Sequence, residues 1–115
     1  MDFDIKEKQN EDITILELYG YLDASSAPQL DKKLNEVLNQ GKIKLIINMK
    51  GLNLISSAGW SIFVEMTLQF KKKGGDIRLA EMRNDAKNIF NIMGLDAVIK
   101  SFESIEKALE SFKKQ

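Results

Sequence analysis

The sequence contains no cysteine and no histidine. Without cysteine there are no disulfides, no thiolate zinc or iron–sulfur sites and no thiol catalysis, which fits a reducing compartment. Without histidine, Ser-His-Asp hydrolysis, imidazole base chemistry and nearly every zinc enzyme drop out. Net charge is missing too, because 17 basic residues balance 17 acidic ones. A general nucleic-acid binder needs a net basic surface to displace phosphate counterions, so no nucleic-acid partner is expected. No apolar run approaches the ~20 residues that cross a bilayer. The amino end, Met1-Asp2-Phe3-Asp4, is acidic and lacks the apolar stretch of a signal peptide. These absences predict a soluble cytoplasmic protein with no membrane association. Neither a Gly-x-x-x-x-Gly-Lys phosphate loop nor a Gly-x-Gly-x-x-Gly fingerprint occurs, and neither a metal nor a cofactor is expected.

What remains is a chain of 115 residues, 43% of them apolar. That length predicts one domain over residues 1–115, with one modest core. Ile13 to Tyr19 is rich in β-branched and large apolar residues and reads as a strand stopped by Gly20. A weaker strand, Phe3 to Lys8, pairs with it through a turn near Asn10. Ser25 and Ser26 are candidate caps for a first helix, and Pro28, the only proline, is tolerated in its first turn. Leu30, Leu34, Val37 and Leu38 recur at helical spacing, and Gly41 closes the helix. Ile43 to Met49 alternates apolar and polar as a strand. Ser57 to Lys73 is helical again and ends at Gly74-Gly75. Ile77 to Ala80 is a short strand. Asn84 caps a helix with Ala86, Ile89, Phe90 and Met93 on one face, ended by Gly94. Val98-Ile99 is a candidate edge strand, and Ile105, Ala108, Leu109 and Phe112 mark a terminal helix.

Strands alternating with helices imply parallel pairing with right-handed crossovers. A strand covered on both faces is nearly continuous in Val, Ile and Leu, and the strand at 43–49 is not. The expected architecture is therefore α/β, a mixed sheet of four to five strands. About four helices lie mainly on one face, and the other face is partly open.

Chemistry is most concentrated where Leu52-Asn53-Leu54-Ile55-Ser56-Ser57-Ala58-Gly59-Trp60 joins a strand to a helix. A helix amino terminus has free N–H groups and favours negative charge. A phosphate on a serine here would be held by those groups and would add about −2 charge to a near-neutral surface. The plainer alternative is that Ser56 or Ser57 is only a cap, contributing about 1 kcal/mol. A nucleophile elbow would need Gly-x-Ser-x-Gly, and Ile55 stands at the first glycine position, so no enzyme is expected. Trp60 and Ile62 have two readings: core residues, or exposed anchors beside Ser57 for a partner. The Lys71-Lys72-Lys73 run reads as a solvated helix end that complements the dipole.

In this order and spacing the landmarks resemble the STAS domain of bacterial anti-sigma factor antagonists. Gly20-Tyr21-Leu22-Asp23 is similar to that family's Gly-x-Leu-Asp, and Leu45 to Met49 with Leu52 to its central strand. Ser56-Ser57-Ala58-Gly59-Trp60 is similar to its Asp/Ser-Ser-Ala/Ser/Thr-Gly-Leu motif; Gly74-Gly75 and Ile89 to Leu95 follow at later landmarks. The resemblance implies a STAS-like fold and a binding module rather than an enzyme. It implies that an anti-sigma serine kinase with a GHKL-type ATP site phosphorylates Ser57. The unmodified chain would hold the kinase and free a sigma factor; a PP2C-type phosphatase would reverse the modification. It also implies a monomer and places Asp23, Ser56, Ser57, Ala58, Gly59, Trp60 and Ile62 at the partner surface. Many phosphorylated members carry Asp where this chain has Ser56, which makes Ser56 an alternative acceptor. An unswitched STAS scaffold is the other reading, such as a lipid ABC transporter subunit or a stressosome-like component.

Overall fold

The computed structural model describes residues 2–114. The chain runs β1 (Asp4–Asn10), β2 (Ile13–Leu22), α1 (Ala27–Asn39), β3 (Lys44–Ile55), α2 (Ser57–Lys72), β4 (Asp76–Ala80), α3 (Asn84–Ile92), β5 (Lys100–Phe102) and α4 (Ile105–Lys113). A single 3-10 turn, Leu95–Ala97, lies between α3 and β5. The five strands form one sheet in the order β1-β2-β3-β4-β5. β1 is antiparallel to β2, and every later pair is parallel.

This sequential order explains where the helices lie. Each parallel step moves the same way across the sheet, so right-handed crossovers place α1, α2 and α3 on one face. Their apolar stripes meet the inward side chains of the strands there. Leu30, Leu34 and Val37 from α1, Trp60, Phe63 and Phe70 from α2, and Phe90 from α3 share one buried cluster with Leu16, Leu45, Ile47 and Leu79. α4 follows no such crossover and packs on the opposite face. Ala108 and Phe112 cover Ile13, Ile15, Ile46 and Ala80, with Leu109 at the margin. α4 is too short to cover that face, so Tyr19 and Tyr21 on the same strand stay more than one-third exposed. The mixed sheet and the unequal distribution of helices agree with the sequence expectation.

Several element ends differ from it, each for a local reason. β2 runs through Gly20 to Leu22 instead of stopping. Gly20 adopts φ +90 and lies so close to the Asp2 carbonyl that no side chain fits there. The register between β2 and β3 shifts next to it, so the strand continues past an irregularity. The edge strand forms at 100–102 rather than at Val98-Ile99, because the 3-10 turn after Gly94 carries the chain inward and buries Ile99. The cap of α3 is Arg83, with Asn84 already helical. Neither Ser25 nor Ser26 caps α1 by its side chain; Ser26 bonds to the preceding loop instead. Among the described residues only α4 has a true side-chain cap, with Ser104 Oγ accepting from the Lys107 N–H at 3.1 Å.

β4 is buried along its whole length, and composition gave no warning that this would include two charges. Arg78 Nε donates to Asp76 Oδ2 at 3.0 Å, and an Arg78 Nη donates to Ser111 Oγ at 2.8 Å. The guanidinium lies 4.0 Å from the centroid of the Phe112 ring. The pair therefore ties α4 to the sheet. Removing one partner of a buried pair strands the other charge, whereas an apolar pair of similar volume is tolerated. We expect Asp76→Ala to cost about 3 kcal/mol in urea denaturation. Asp76→Ala combined with Arg78→Met should recover at least half of that loss.

Candidate functional site

β2 and β3 stay paired to their last residues, Leu22 opposite Ile55. The Ser56 N–H then donates to the Leu22 carbonyl at 2.8 Å. Asp23 and Ser57 therefore leave neighbouring strands side by side, at the carboxyl edge of the parallel sheet. In open α/β sheets ligands and partners are met at this edge.

Ser57 is the first residue of α2 and is exposed. Among the described residues no group hydrogen-bonds its hydroxyl. Ser56 occupies the cap position with extended backbone, yet its side chain makes no cap hydrogen bond. The first turn of α2 also holds no acidic residue. The first N–H groups of the helix and the positive end of its dipole thus face outward without a neutralising side chain. Ser56 differs from Ser57 in exposure: its Oγ is buried and has no hydrogen-bond partner among the described residues. The strand-end bond that fixes the Ser56 backbone turns this hydroxyl inward.

Asp23 is half-buried, and its carboxylate organises the loop before α1. Asp23 Oδ1 accepts from Ser25 Oγ at 2.7 Å, from the Ser25 N–H at 3.0 Å and from the Ser26 N–H at 3.2 Å. Ser26 Oγ donates to the Tyr21 carbonyl at 2.8 Å and accepts from the Asp23 N–H at 2.9 Å. These bonds, the Ser25 hydroxyl first, hold the Asp23 pKa below its ordinary 3.8. Asp23 thus shapes the loop next to Ser57 as well as lying at its edge.

The other proposed contact residues divide sharply. Ala58 is partly exposed. Gly59 is buried, and a Cβ there would come 2.7 Å from Leu22 and 3.1 Å from Ile55. Glycine is needed so that the first turn of α2 can sit on the ends of β2 and β3. Trp60 is only 2% exposed and is therefore no surface anchor. It packs edge-on to Phe63 and tilted against Phe90, with centroids 5.8 Å and 6.0 Å away. Ile62 is partly buried against the same core. Large apolar side chains at the start of α2 turn inward to join the core cluster that α1 and α3 also cover.

The chain matches the STAS domain family over residues 4–108. It belongs to the STAS domain family. It is 32% identical over 99 residues to the anti-sigma-B factor antagonist of Bacillus subtilis strain 168, spanning 86% of this chain and 90% of the relative. Its fold is similar to an anti-sigma factor antagonist from Mycobacterium paratuberculosis, with a TM-score of 0.88 at 16% identity, covering 96% and 93% of the two chains. It is also similar to the phosphorylated form of the Bacillus cell fate determinant SpoIIAA, with a TM-score of 0.73 at 19% identity, covering 96% and 99%. The five-stranded STAS sheet thus presents Ser57 and Asp23 on one edge. Among the described residues no helix is long and apolar enough to cross a membrane.

Sequence reasoning missed an apolar surface beside this edge. Spacing puts Ala86, Ile89, Phe90 and Met93 on one face of α3, but only Phe90 is buried; Ile89 and Met93 are 43% and 50% exposed. The signal was available in Ile89-Phe90-Asn91-Ile92-Met93. Four large apolar side chains within five positions exceed what one face of a nine-residue helix can bury.

Two predictions test this geometry. Gly59→Ala should cost about 1–3 kcal/mol in chemical denaturation, because the added methyl overpacks Leu22. Asp23→Asn should lower the unfolding midpoint near neutral pH. A carboxylate held below its ordinary value stabilises the fold above pH 3.8, and the benefit is lost as pH falls through the lower folded value. The difference between wild type and Asp23→Asn should therefore shrink in acid, and an unchanged difference at low pH would contradict the loop role.

Proposed function

We propose that this chain is a cytoplasmic anti-sigma factor antagonist switched by phosphorylation of Ser57. In the unmodified state it holds an anti-sigma serine kinase of the GHKL type, and a sigma factor goes free. The observation that carries this reading is an exposed hydroxyl on an uncapped helix amino terminus, next to the Asp23 loop. The resemblance to an anti-sigma-B factor antagonist and to a relative solved in phosphorylated form supports it.

The chain's own part in the chemistry is small. The Ser57 oxygen attacks the terminal phosphorus of ATP held by the kinase, a new P–O bond forms, ADP leaves and the serine proton passes to a base on the kinase. This chain supplies a rigidly placed oxygen and needs no catalytic group. Once attached, the phosphate lies against the free N–H groups of Ser57, Ala58 and Gly59. It is stable there in water, but covering it with a docked partner would strip its hydration, which is costly for a dianion. Modification therefore leaves the fold in place and weakens the complex. A PP2C-type phosphatase that hydrolyses the ester would restore binding.

After incubation with ATP and the kinase, mass spectrometry should place one phosphate on Ser57. Ser57→Ala should take up none while still binding the kinase, and Ser57→Asp should bind at least about 10-fold more weakly, or roughly 1.4 kcal/mol. Phosphate on another residue, or on none, would overturn the switch.

A further inference from the structure

Five of the exposed large apolar side chains lie on or beside the edge of α2 and α3: Leu54, Leu68, Ile89, Ile92 and Met93. Two cavities run along this edge. One, of about 250 Å³, is lined by Leu54, Ile55, Trp60, Ala86 and Ile89, with Asp85 at its rim. The other, of about 380 Å³, is lined by Trp60, Val64, Leu68 and Met93, with Glu65 at its rim. Trp60 is common to both, so they form one groove with the indole in its floor. The α2 wall follows positions 60, 61, 64, 65 and 68, which share one helical stripe. The groove therefore begins about one turn beyond Ser57 and extends about 12 Å along α2.

Two features define what fits. Among the described residues the only charged ones that line either cavity are Asp85 and Glu65, one in each, so the groove is acidic along its length. The walls are helices whose backbone groups are already paired. An extended segment would find no partners there for its own N–H and C=O groups, whereas a helix brings its hydrogen bonds with it. We propose that the α2–α3 groove docks an amphipathic helix of a protein partner, about three turns long, apolar on one face and flanked by basic residues. If the phosphorylation reading holds, that partner is the kinase, and the groove would supply the affinity that modification of Ser57, one turn away, removes. The docking itself does not depend on phosphate.

The test uses the full unmodified chain and a fluorescein-labelled 14-residue peptide. The peptide has leucines at helical i, i+3, i+4 and i+7 spacing and lysines at both ends. Fluorescence anisotropy should show saturable binding, and methyl NMR should shift Leu68, Ile89, Ile92 and Met93 while leaving Ile13, Ile46 and Leu109 on the other face unmoved. Leu68→Glu and Met93→Glu, both at exposed positions, should keep a native circular dichroism spectrum and each weaken binding at least 10-fold. Glu65→Lys with Asp85→Lys should weaken it about 5-fold and flatten its salt dependence. Equal binding of a scrambled or an acid-flanked peptide would overturn the proposal, as would shifts on the other face or no saturable binding. A peptide-excluding dimer broken by Met93→Glu would assign the groove to a second copy, and cosedimentation with phosphatidylcholine vesicles lost in the same variant would assign it to lipid. Either result would overturn the proposal, whether or not Ser57 is ever phosphorylated.

Discussion

The parallel pairing of β2 with β3, carried to Leu22 and Ile55, is the constraint on which the edge that holds Asp23 and Ser57 depends. The pairing crosses two register irregularities, at Glu17–Tyr19 and at Gly20–Tyr21, and recovers each time. Had β2 ended at Gly20, the Asp23 loop would lie short of the helix that Ser57 begins. The bond from the Ser56 N–H to the Leu22 carbonyl then fixes the turn into α2. Gly59 lets the helix settle onto the two strand ends, and Trp60 closes the core behind it. The exposed hydroxyl is thus placed by backbone geometry several residues away, and its own side chain has no structural duty.

This division explains what could be read from sequence. Element order and the face of α1 were legible, because Leu30, Leu34 and Val37 repeat at helical spacing and face a core, whereas α2 is apolar on more than one side and left Trp60 open between core and surface. Ser57 was legible from its position between a strand and a helix. What local pattern could not show was anything decided by pairing across the sheet. The continuation of β2 past a glycine, the inward turn of the Ser56 hydroxyl and the burial of Arg78 each depend on a partner strand or on α4. Ile89 and Met93 matched a buried stripe in spacing, but α3 has too little core beneath it to accept them all.

The two faces of the sheet hold their helices by different means. On the α1–α3 side the contact is broad and almost entirely apolar, so small losses spread over many residues. On the α4 side a short helix is held by a few apolar contacts and by one buried charge pair beneath Phe112. That pair is specific in geometry, because the guanidinium meets a carboxylate, a hydroxyl and a ring face at once. The opposite face can therefore be rebuilt around Arg78 only with coordinated changes, while the edge that holds Asp23 and Ser57 lies away from it.

Trp60 is the only tryptophan in the chain and forms the floor shared by both cavities, three residues beyond Ser57. Its indole N–H is buried and has no partner. The molecule therefore has a single indole fluorophore, placed beneath the surface that both cavities share. Its emission colour and quenching would report water entering or leaving that spot, with no dye attached and with excitation to the red of Tyr19 and Tyr21.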